Sequence, residues 1–155
     1  MKKILFVAPT QGNGGIASWA ANYRKVCPEE YKLISVGVSK RRSLNNTAGI
    51  FRRMFDGILD MFEVFYNVRQ TLKKNHDINI MHLTISGKPG IVRDYFIVKS
   101  ANKNNVKTIV HCHFGSVWNQ VSDTGFWGKL LRSTFQMADQ VWVLDKKSYD
   151  AIKKK

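Results

Sequence analysis

The chain is poor in acidic residues and in cysteine, and it contains no long apolar run. Asp and Glu number 11 against 25 Lys and Arg, which gives a formal net charge of +14. This imbalance favours anionic partners such as nucleotide diphosphates or acidic lipids, unless much of the charge is simply solvated surface lysine. No recognised nucleic-acid motif occurs, and the tryptophans are not interleaved with the basic clusters. We therefore expect no nucleic-acid partner.

The two cysteines, Cys27 and Cys112, are too few for a disulfide framework. This is typical of a reduced, cytoplasmic compartment. No apolar run reaches the length of a transmembrane helix. The apolar run that follows the basic residues 1–3 is too short for a signal peptide and has no cleavage pattern after it.

Strand-like and helix-like segments alternate along the whole chain. The predicted strands are residues 4–8, 31–38, 78–85, one within 106–115, and 140–144. The predicted helices are residues 16–26, 47–74, 91–104, 126–137 and a last one from 146 onward. This alternation predicts one α/β domain, residues 1–155, with a doubly wound parallel sheet.

The fourth predicted strand ends in two histidines that flank a cysteine. Side chains alternate along a strand, so His111 and His113 should point to one face and Cys112 to the other. In open α/β sheets, ligands bind outside the carboxyl ends of the strands, which is where these imidazoles lie. Two histidines could form half of a zinc site, but no third ligand is near in sequence, and we predict no metal. His82, late in the third strand, is expected to be a core residue, and Asp145 a helix cap.

A glycine-rich loop separates the first strand from the first helix. Gly12, Gly14 and Ala17 match the spacing G-x-G-x-x-A of dinucleotide-binding turns. The acidic residue expected after the second strand is absent, and Lys40 to Arg42 stand there instead, which would suit a 2′-phosphate. A more general interpretation is that Gly14 and Gly15 let backbone amides approach a phosphate at a helix N-terminus. A tight turn that merely needs glycine remains an alternative.

The second predicted helix carries more apolar surface than one core-facing stripe requires. Four arginines, Arg41, Arg42, Arg52 and Arg53, cluster at its start. Together these features fit an interfacial helix bound to acidic lipid. They also fit a thickly packed core helix with a solvated basic end.

Four segments, in chain order, resemble motifs of GT-B glycosyltransferases of family GT4. Residues 3–7 (KILFV) with 14–17 (GGIA) resemble the family's opening strand and glycine turn. Residues 80–87 (IMHLTISG) resemble its second motif, with Thr84 where the family has a histidine. Residues 111–115 (HCHFG) resemble its H-x-H-G element with Phe114 inserted, and 138–145 (ADQVWVLD) resemble the strand that closes its N-terminal lobe.

The resemblance implies a Rossmann-like N-terminal lobe on the acceptor side of a retaining hexosyltransferase-type enzyme. His113 would contact the donor sugar near the reacting carbon, and Gly14 and Gly15 would lie at the donor diphosphate. Thr84, Ser86 and Gly87 would lie toward the acceptor. The donor is a nucleotide sugar, and no cofactor or metal is implied. The acceptor would be a saccharide or a lipid-linked molecule, in polysaccharide or glycolipid synthesis.

The E-x7-E motif of the family's donor-binding lobe is absent from these 155 residues. We therefore expect the domain to be inactive alone and to need that lobe, in cis or on a partner chain. The expected location is cytoplasmic, with peripheral association at the inner face of the cytoplasmic membrane.

Two alternatives remain open. One is an NADP-binding Rossmann domain that uses Gly12, Gly14 and Arg41, and the other is a non-enzymatic module that binds a membrane or a partner.

Overall fold

The computed structural model describes residues 1–12, 14–38, 50–85 and 87–153. The strands are β1 (Lys2–Ala8), β2 (Tyr31–Gly37), β3 (Ile78–Ile85), β4 (Lys107–Cys112) and β5 (Gln140–Trp142). The helices are α1 (Gly15–Lys25), α2 (Ile50–Lys74), α3 (Ile91–Lys103), α4 (Val117–Ser122), α5 (Phe126–Met137) and α6 (Lys146–Lys153).

The five strands form one parallel sheet in the order β2-β1-β3-β4-β5. Helices connect successive strands and pack on both faces, so the predicted Rossmann-like, doubly wound α/β fold is confirmed. The order reverses between β1 and β3, because β2 is added on one side of β1 and the later strands on the other. Ligand crevices of such sheets open at this switch point, outside the carboxyl ends of the strands.

One face of the sheet, here called the aliphatic face, forms the main core. It includes Leu5, Leu83 and Val110, all fully buried. They pack against buried side chains of α2, α3 and α5, such as Val68 and Leu131. Val7, Leu83 and Val110 lie side by side in register across β1, β3 and β4. Aliphatic side chains on both sides of this layer give the hydrophobic burial that holds the sheet and the three helices together.

The opposite face, here called the aromatic face, is covered by α1. Phe6 and Ala8 of β1 pack against Ala20, Trp19 and Tyr23 of that helix. Because side chains alternate along a strand, the residues of β3 and β4 that share this face include His82 and His111. The face is less completely covered toward the β5 side, where Trp142 is 40% exposed.

Most predicted elements are confirmed, with small differences at their ends. The strand in 106–115 is Lys107–Cys112, and His113 lies just beyond it, although its backbone N–H still donates to the carbonyl of Ile85 at 3.0 Å. The fifth strand is shorter than predicted, because it ends at Trp142. Helix α4 was not predicted from the sequence, since six residues are too few to show a helical period.

Two aspartates that close secondary structure can be assigned from their hydrogen bonds. Asp145 precedes α6 and accepts from the backbone N–H and the hydroxyl of Ser148, both at 2.8 Å, as a helix N-cap does. The predicted cap is therefore confirmed. Asp139 accepts from the backbone N–H of Thr108 at 2.8 Å and from Lys107, and so ties the start of β5 to β4. This aspartate of the fourth motif is accounted for by a structural role.

Candidate functional site

The candidate site lies at the carboxyl edge of the sheet, around the switch point between β1 and β3. The turn after β1 leads into α1 on the aromatic face. The segments that follow β3 and β4 lead into helices that pack on the aliphatic face. The chain therefore diverges to both sides of the sheet here, which is the arrangement that gives open α/β sheets their ligand crevice.

The glycine turn forms one wall of this crevice. Gly12 has φ +117°, in a region that L side chains rarely adopt, so this position requires glycine. Gly14 is the N-cap of α1 in extended conformation and has no side-chain cap. A Cβ at Gly14 or Gly15 would meet no atom of the described residues within 4 Å, and both glycines are exposed at the start of the helix. The first amides of α1 and the helix dipole together favour an anion at this place.

Three imidazoles meet beside this helix start. The ring centroids of His111 and His113 are 4.0 Å apart, and those of His82 and His111 are 5.5 Å apart and stacked. Nε2 of His82 lies 3.4 Å from Nδ1 of His111, at hydrogen-bond distance. Cys112 points to the opposite face and is fully buried in the aliphatic core. The predicted alternation of His111, Cys112 and His113 is thus confirmed.

Aromatic side chains surround the three histidines. Trp19 of α1 has its ring centroid 4.4 Å from that of His113 and 4.8 Å from that of His111. Tyr23, one turn later, places its hydroxyl 3.4 Å from Nδ1 of His82. Trp142 of β5 lies within 5.2 Å of the His82 ring. Helix α1 therefore holds the imidazoles in place from above the sheet.

Burial keeps these imidazoles neutral. Desolvation, together with the neighbouring imidazoles, lowers the pKa of His82 to about 4 and that of His111 to about 4. Burial also lowers the pKa of His113 below the ordinary histidine value. Each neutral ring carries one N–H donor and one acceptor nitrogen, so the cluster can exchange hydrogen bonds without adding charge.

The ring of His113 has one polar atom without a hydrogen-bond partner among the described residues. Its Nε2 is buried and has no hydrogen-bond partner within the part of the chain that the structure describes. A buried polar atom without a partner is costly, and it is a common feature of binding sites that await a ligand. Trp19, which contacts this ring, is four residues after Gly15, or about 6 Å along the helix axis. The start of α1 and the ring of His113 are therefore both within about one helical turn of Trp19.

The predicted acceptor residues differ in how they are situated. Thr84 is buried, and its hydroxyl donates to the carbonyl of Val7 at 3.2 Å, so it serves the β1–β3 pairing. Gly87 has φ +85°, and a Cβ there would approach Gln120 and Phe114, at 3.2 and 3.5 Å. Ser86 lies outside the described residues. The acceptor role of these three residues stays a prediction.

The predicted basic cluster is described only in part. Arg41 and Arg42 lie outside the described residues, as does Lys40, and so does the side chain of Arg53. Arg52 is exposed in the first turn of α2.

Within the described ranges, no group of three or more His, Cys, Asp and Glu residues is arranged to hold a metal ion. No helix among the same residues is both long and apolar enough to span a bilayer.

The site joins more residues than the sequence predicted. No site role was predicted for Trp19, Tyr23 or Trp142, and His82 was interpreted without these neighbours. His82 is a core residue, 1% exposed, yet it lies between Tyr23 and His111 as part of the cluster. One signal was present: Trp19 and Tyr23 are four residues apart on a helix and so share a face.

Comparison of the chain with protein-family models, with curated proteins and with solved structures returns no match.

Proposed function

We propose that this domain is the N-terminal, acceptor-side lobe of a retaining GT-B glycosyltransferase similar to family GT4. It would act together with a donor-binding lobe, in cis or on a partner chain. The observation that carries the proposal is that His113, whose Nε2 has no partner among the described residues, packs on Trp19, one helical turn after the uncapped N-terminus of α1. The four resembling segments along the chain supply the reaction class.

The chemistry of sugar transfer suits this arrangement. When the bond between the sugar and the diphosphate breaks, negative charge develops on the leaving diphosphate. The amides at Gly14 and Gly15, with the positive end of the α1 dipole, would stabilise that charge in a partly dehydrated corner. The neutral His113 would use Nε2 for a hydrogen bond to the sugar, and Trp19 would fix the ring orientation. The site would then recognise a diphosphate and a sugar hydroxyl side by side.

An NADP-binding domain is the second candidate. The turn geometry at Gly12 and Gly14 is compatible with either ligand, because both place a diphosphate at the helix start. The three-histidine cluster favours the first candidate, since a dinucleotide turn needs only backbone amides and an acidic or basic residue after the second strand.

Ligand titration followed by amide and imidazole NMR shifts separates these candidates. We expect UDP-glucose or GDP-mannose to shift the amides of Gly14 and Gly15 and the ring of His113, and NADPH to leave them unchanged. His113→Ala should weaken binding of the nucleotide sugar by about two- to tenfold, the contribution of one neutral hydrogen bond. Binding of UDP alone should not change, because the sugar is then absent.

His76→Ala is the matched control, because His76 is exposed in the turn that precedes β3, at the opposite edge of the sheet. Tighter binding of NADPH than of any nucleotide sugar would favour the dinucleotide candidate. If none of these ligands shifts Gly14 or Gly15, the turn is only a structural connection and the proposal loses its main support.

A further inference from the structure

Helix α2 carries an apolar row that stays largely exposed in the part of the chain that the structure describes. The row Phe51, Phe55, Ile58, Phe62 and Tyr66 follows the spacing of a single helix face. Phe51 is 86% exposed, Phe55 61% and Phe62 66%. The core contacts of the helix use a different side, with Val64, Val68 and Leu72 buried. This outward row is therefore additional to the surface that the fold requires.

The outer row changes character along α2. Continuing the same spacing, it passes from Tyr66 to Arg69 and Lys73, both exposed. Helix α3 repeats the pattern beside it, because Val92 and Phe96 are followed at spacings of three and four by Lys99 and Lys103. Each helix thus presents an apolar first half and a basic second half to the same side of the molecule.

The groove between the two helices reflects this division. Between the first halves of the two helices it is a cavity of about 400 Å³ lined mainly by apolar side chains, among them Ile58, Phe62 and Val92. Between their second halves it is a cavity of about 430 Å³ whose lining includes four cations, Arg69, Lys73, Lys99 and Lys103. Phe65 and Phe96 line both parts and mark the boundary, with ring centroids 6.3 Å apart.

The acidic residues of these helices lie away from the outer row. Asp56, Asp60 and Glu63 of α2 are spaced along the side that leads to the core residue Val64, and Asp60 is buried. In α3, Asp94 is fully buried and accepts two hydrogen bonds from the neighbouring Arg93. The charge that the groove presents outward is therefore mainly positive.

We propose that this α2/α3 surface docks the protein on a bilayer that contains anionic lipid. The exposed phenylalanines would enter the interface between headgroups and acyl chains, and the four cations would contact lipid phosphates. Charge selects this occupant over a second copy of the chain, because two molecules of net charge +14 repel each other. The inference is independent of the proposed function.

Docking in this way would also orient the candidate site. Helix α2 has 25 residues and is about 37 Å long, whereas the eight residues of β3 span about 26 Å. Lys74 lies close to the start of β3, so the excess length of the helix projects beyond the carboxyl edge of the sheet. The apolar half that enters the membrane is thus the half at the carboxyl edge of the sheet, the edge at which the candidate site lies, and that edge would lie near the bilayer surface.

Vesicle flotation tests the docking. We expect the protein to bind vesicles of phosphatidylcholine and phosphatidylglycerol at 3:1 far better than phosphatidylcholine alone, and to lose binding as salt rises. The double variant Arg69→Gln/Lys73→Gln should bind about 25-fold less, since each cation near an anionic surface contributes about fivefold. The control Lys2→Gln/Lys25→Gln has the same net charge but changes two exposed cations on the other face of the sheet, and should keep most of the binding.

A second pair of variants tests insertion. Phe55→Ser/Phe62→Ser should bind at least about tenfold less, because two exposed aromatic side chains no longer leave water. Phe126→Ser/Tyr149→Ser removes two other exposed aromatics and is the control. In Phe62→Trp, emission of the new tryptophan should shift to the blue on binding.

Three results would overturn the proposal. The first is equal loss of binding in the test and control variants, which would make net charge the cause. The second is an unshifted emission of Phe62→Trp when vesicles are bound. The third is self-association in sedimentation velocity that Phe55→Ser/Phe62→Ser abolishes, together with no vesicle binding, because the surface would then join two copies.

Discussion

The two faces of the sheet consist of different side chains and have different roles, packing on one face and the candidate site on the other. The aliphatic face packs against buried side chains of α2, α3, α4 and α5, and its own side chains, such as Leu83 and Val110, are fully buried. Within the described residues the aromatic face is covered by α1, which brings Trp19, His82 and His111 into contact. Polar ring nitrogens are useful only where a partner or a ligand can reach them. A face with less cover, next to the carboxyl edge, is therefore the place where a site can form.

The two sides of the sheet also differ in the charge chemistry of their buried groups. Each face holds a buried titratable group, and the two respond to pH in opposite ways. On the aromatic face, burial lowers the pKa of His82 to about 4. On the other side, burial raises the pKa of Asp94 in α3 to about 6, against the opposing effect of Arg93. Both groups favour their neutral form when the protein is folded.

The largest effect is expected from a cavity in the aliphatic face. Leu83→Ala should lower the free energy of unfolding by about 2–5 kcal/mol, because the rigid surroundings cannot fill the space. Leu144→Ala, at a side chain that is 60% exposed, should change it by less than about 0.5 kcal/mol. Urea unfolding followed by circular dichroism measures both. Similar losses in the two variants would mean that the core is not tightly packed around β3.

The next effect is acid destabilisation through the aromatic face. Folding lowers the pKa of His82 from 6.5, its value in the unfolded chain, to about 4. Its contribution to the free energy of unfolding is therefore complete above pH 6.5 and is lost as the pH falls through about 4. At pH 5 the loss through His82 is about 2 kcal/mol relative to neutral pH. His82→Gln should therefore lose about 2 kcal/mol less than the wild type between pH 7 and pH 5. Parallel pH profiles would show that His82 is not held neutral.

Asp94 gives the opposite contribution in the same pH range. Its carboxyl has a raised pKa in the folded protein, so it stabilises most below 3.8 and the contribution is lost as pH rises through about 6. Between pH 7 and pH 5 this contribution of Asp94 partly offsets the acid destabilisation that His82 causes. Without it, in Asp94→Asn, the free energy of unfolding should fall by about 1 kcal/mol more over that range. A shallower profile in Asp94→Asn would contradict the assignment of opposite signs to the two faces.

Another effect, on stability at neutral pH, is expected from the ring that covers the imidazoles. Trp19→Ala should cost about 1–3 kcal/mol, less than a fully buried tryptophan, because Trp19 is only half-buried. Trp19→Phe keeps most of the aromatic contact and should cost less than half of that. Thermal unfolding measures the cost, and the histidine ring signals in NMR report whether His113 has moved. Unchanged histidine ring signals in Trp19→Ala would mean that Trp19 does not orient His113.

The smallest effect concerns one hydrogen bond. Tyr23→Phe removes the hydroxyl that lies 3.4 Å from Nδ1 of His82 and should cost about 0.5–1 kcal/mol. Tyr66→Phe, on the exposed row of α2, should have no measurable effect on stability. A cost in Tyr23→Phe as large as that in Trp19→Ala would mean that the hydrogen bond, and not ring packing, holds the cluster.

Local sequence patterns determined the elements of this fold. The run from Ile4 to Ala8 predicts a buried strand because only apolar side chains suit both faces of a parallel sheet. Alternation determined that Cys112 points away from His111 and His113, since the period of a strand is two. The cap at Asp145 is likewise a local matter, because it involves residues three apart.

Tertiary structure alone decided what these elements bring together. The strand order places His82 of β3 beside His111 of β4, although 29 residues separate them. The packing of α1 brings Trp19 to His113, and nothing in the sequence near either residue indicates that contact. The apolar content of α2 was visible in the sequence, but not which of its side chains are covered. Burial depends on the neighbours that a surface meets after folding, and a periodic pattern contains no information about those neighbours.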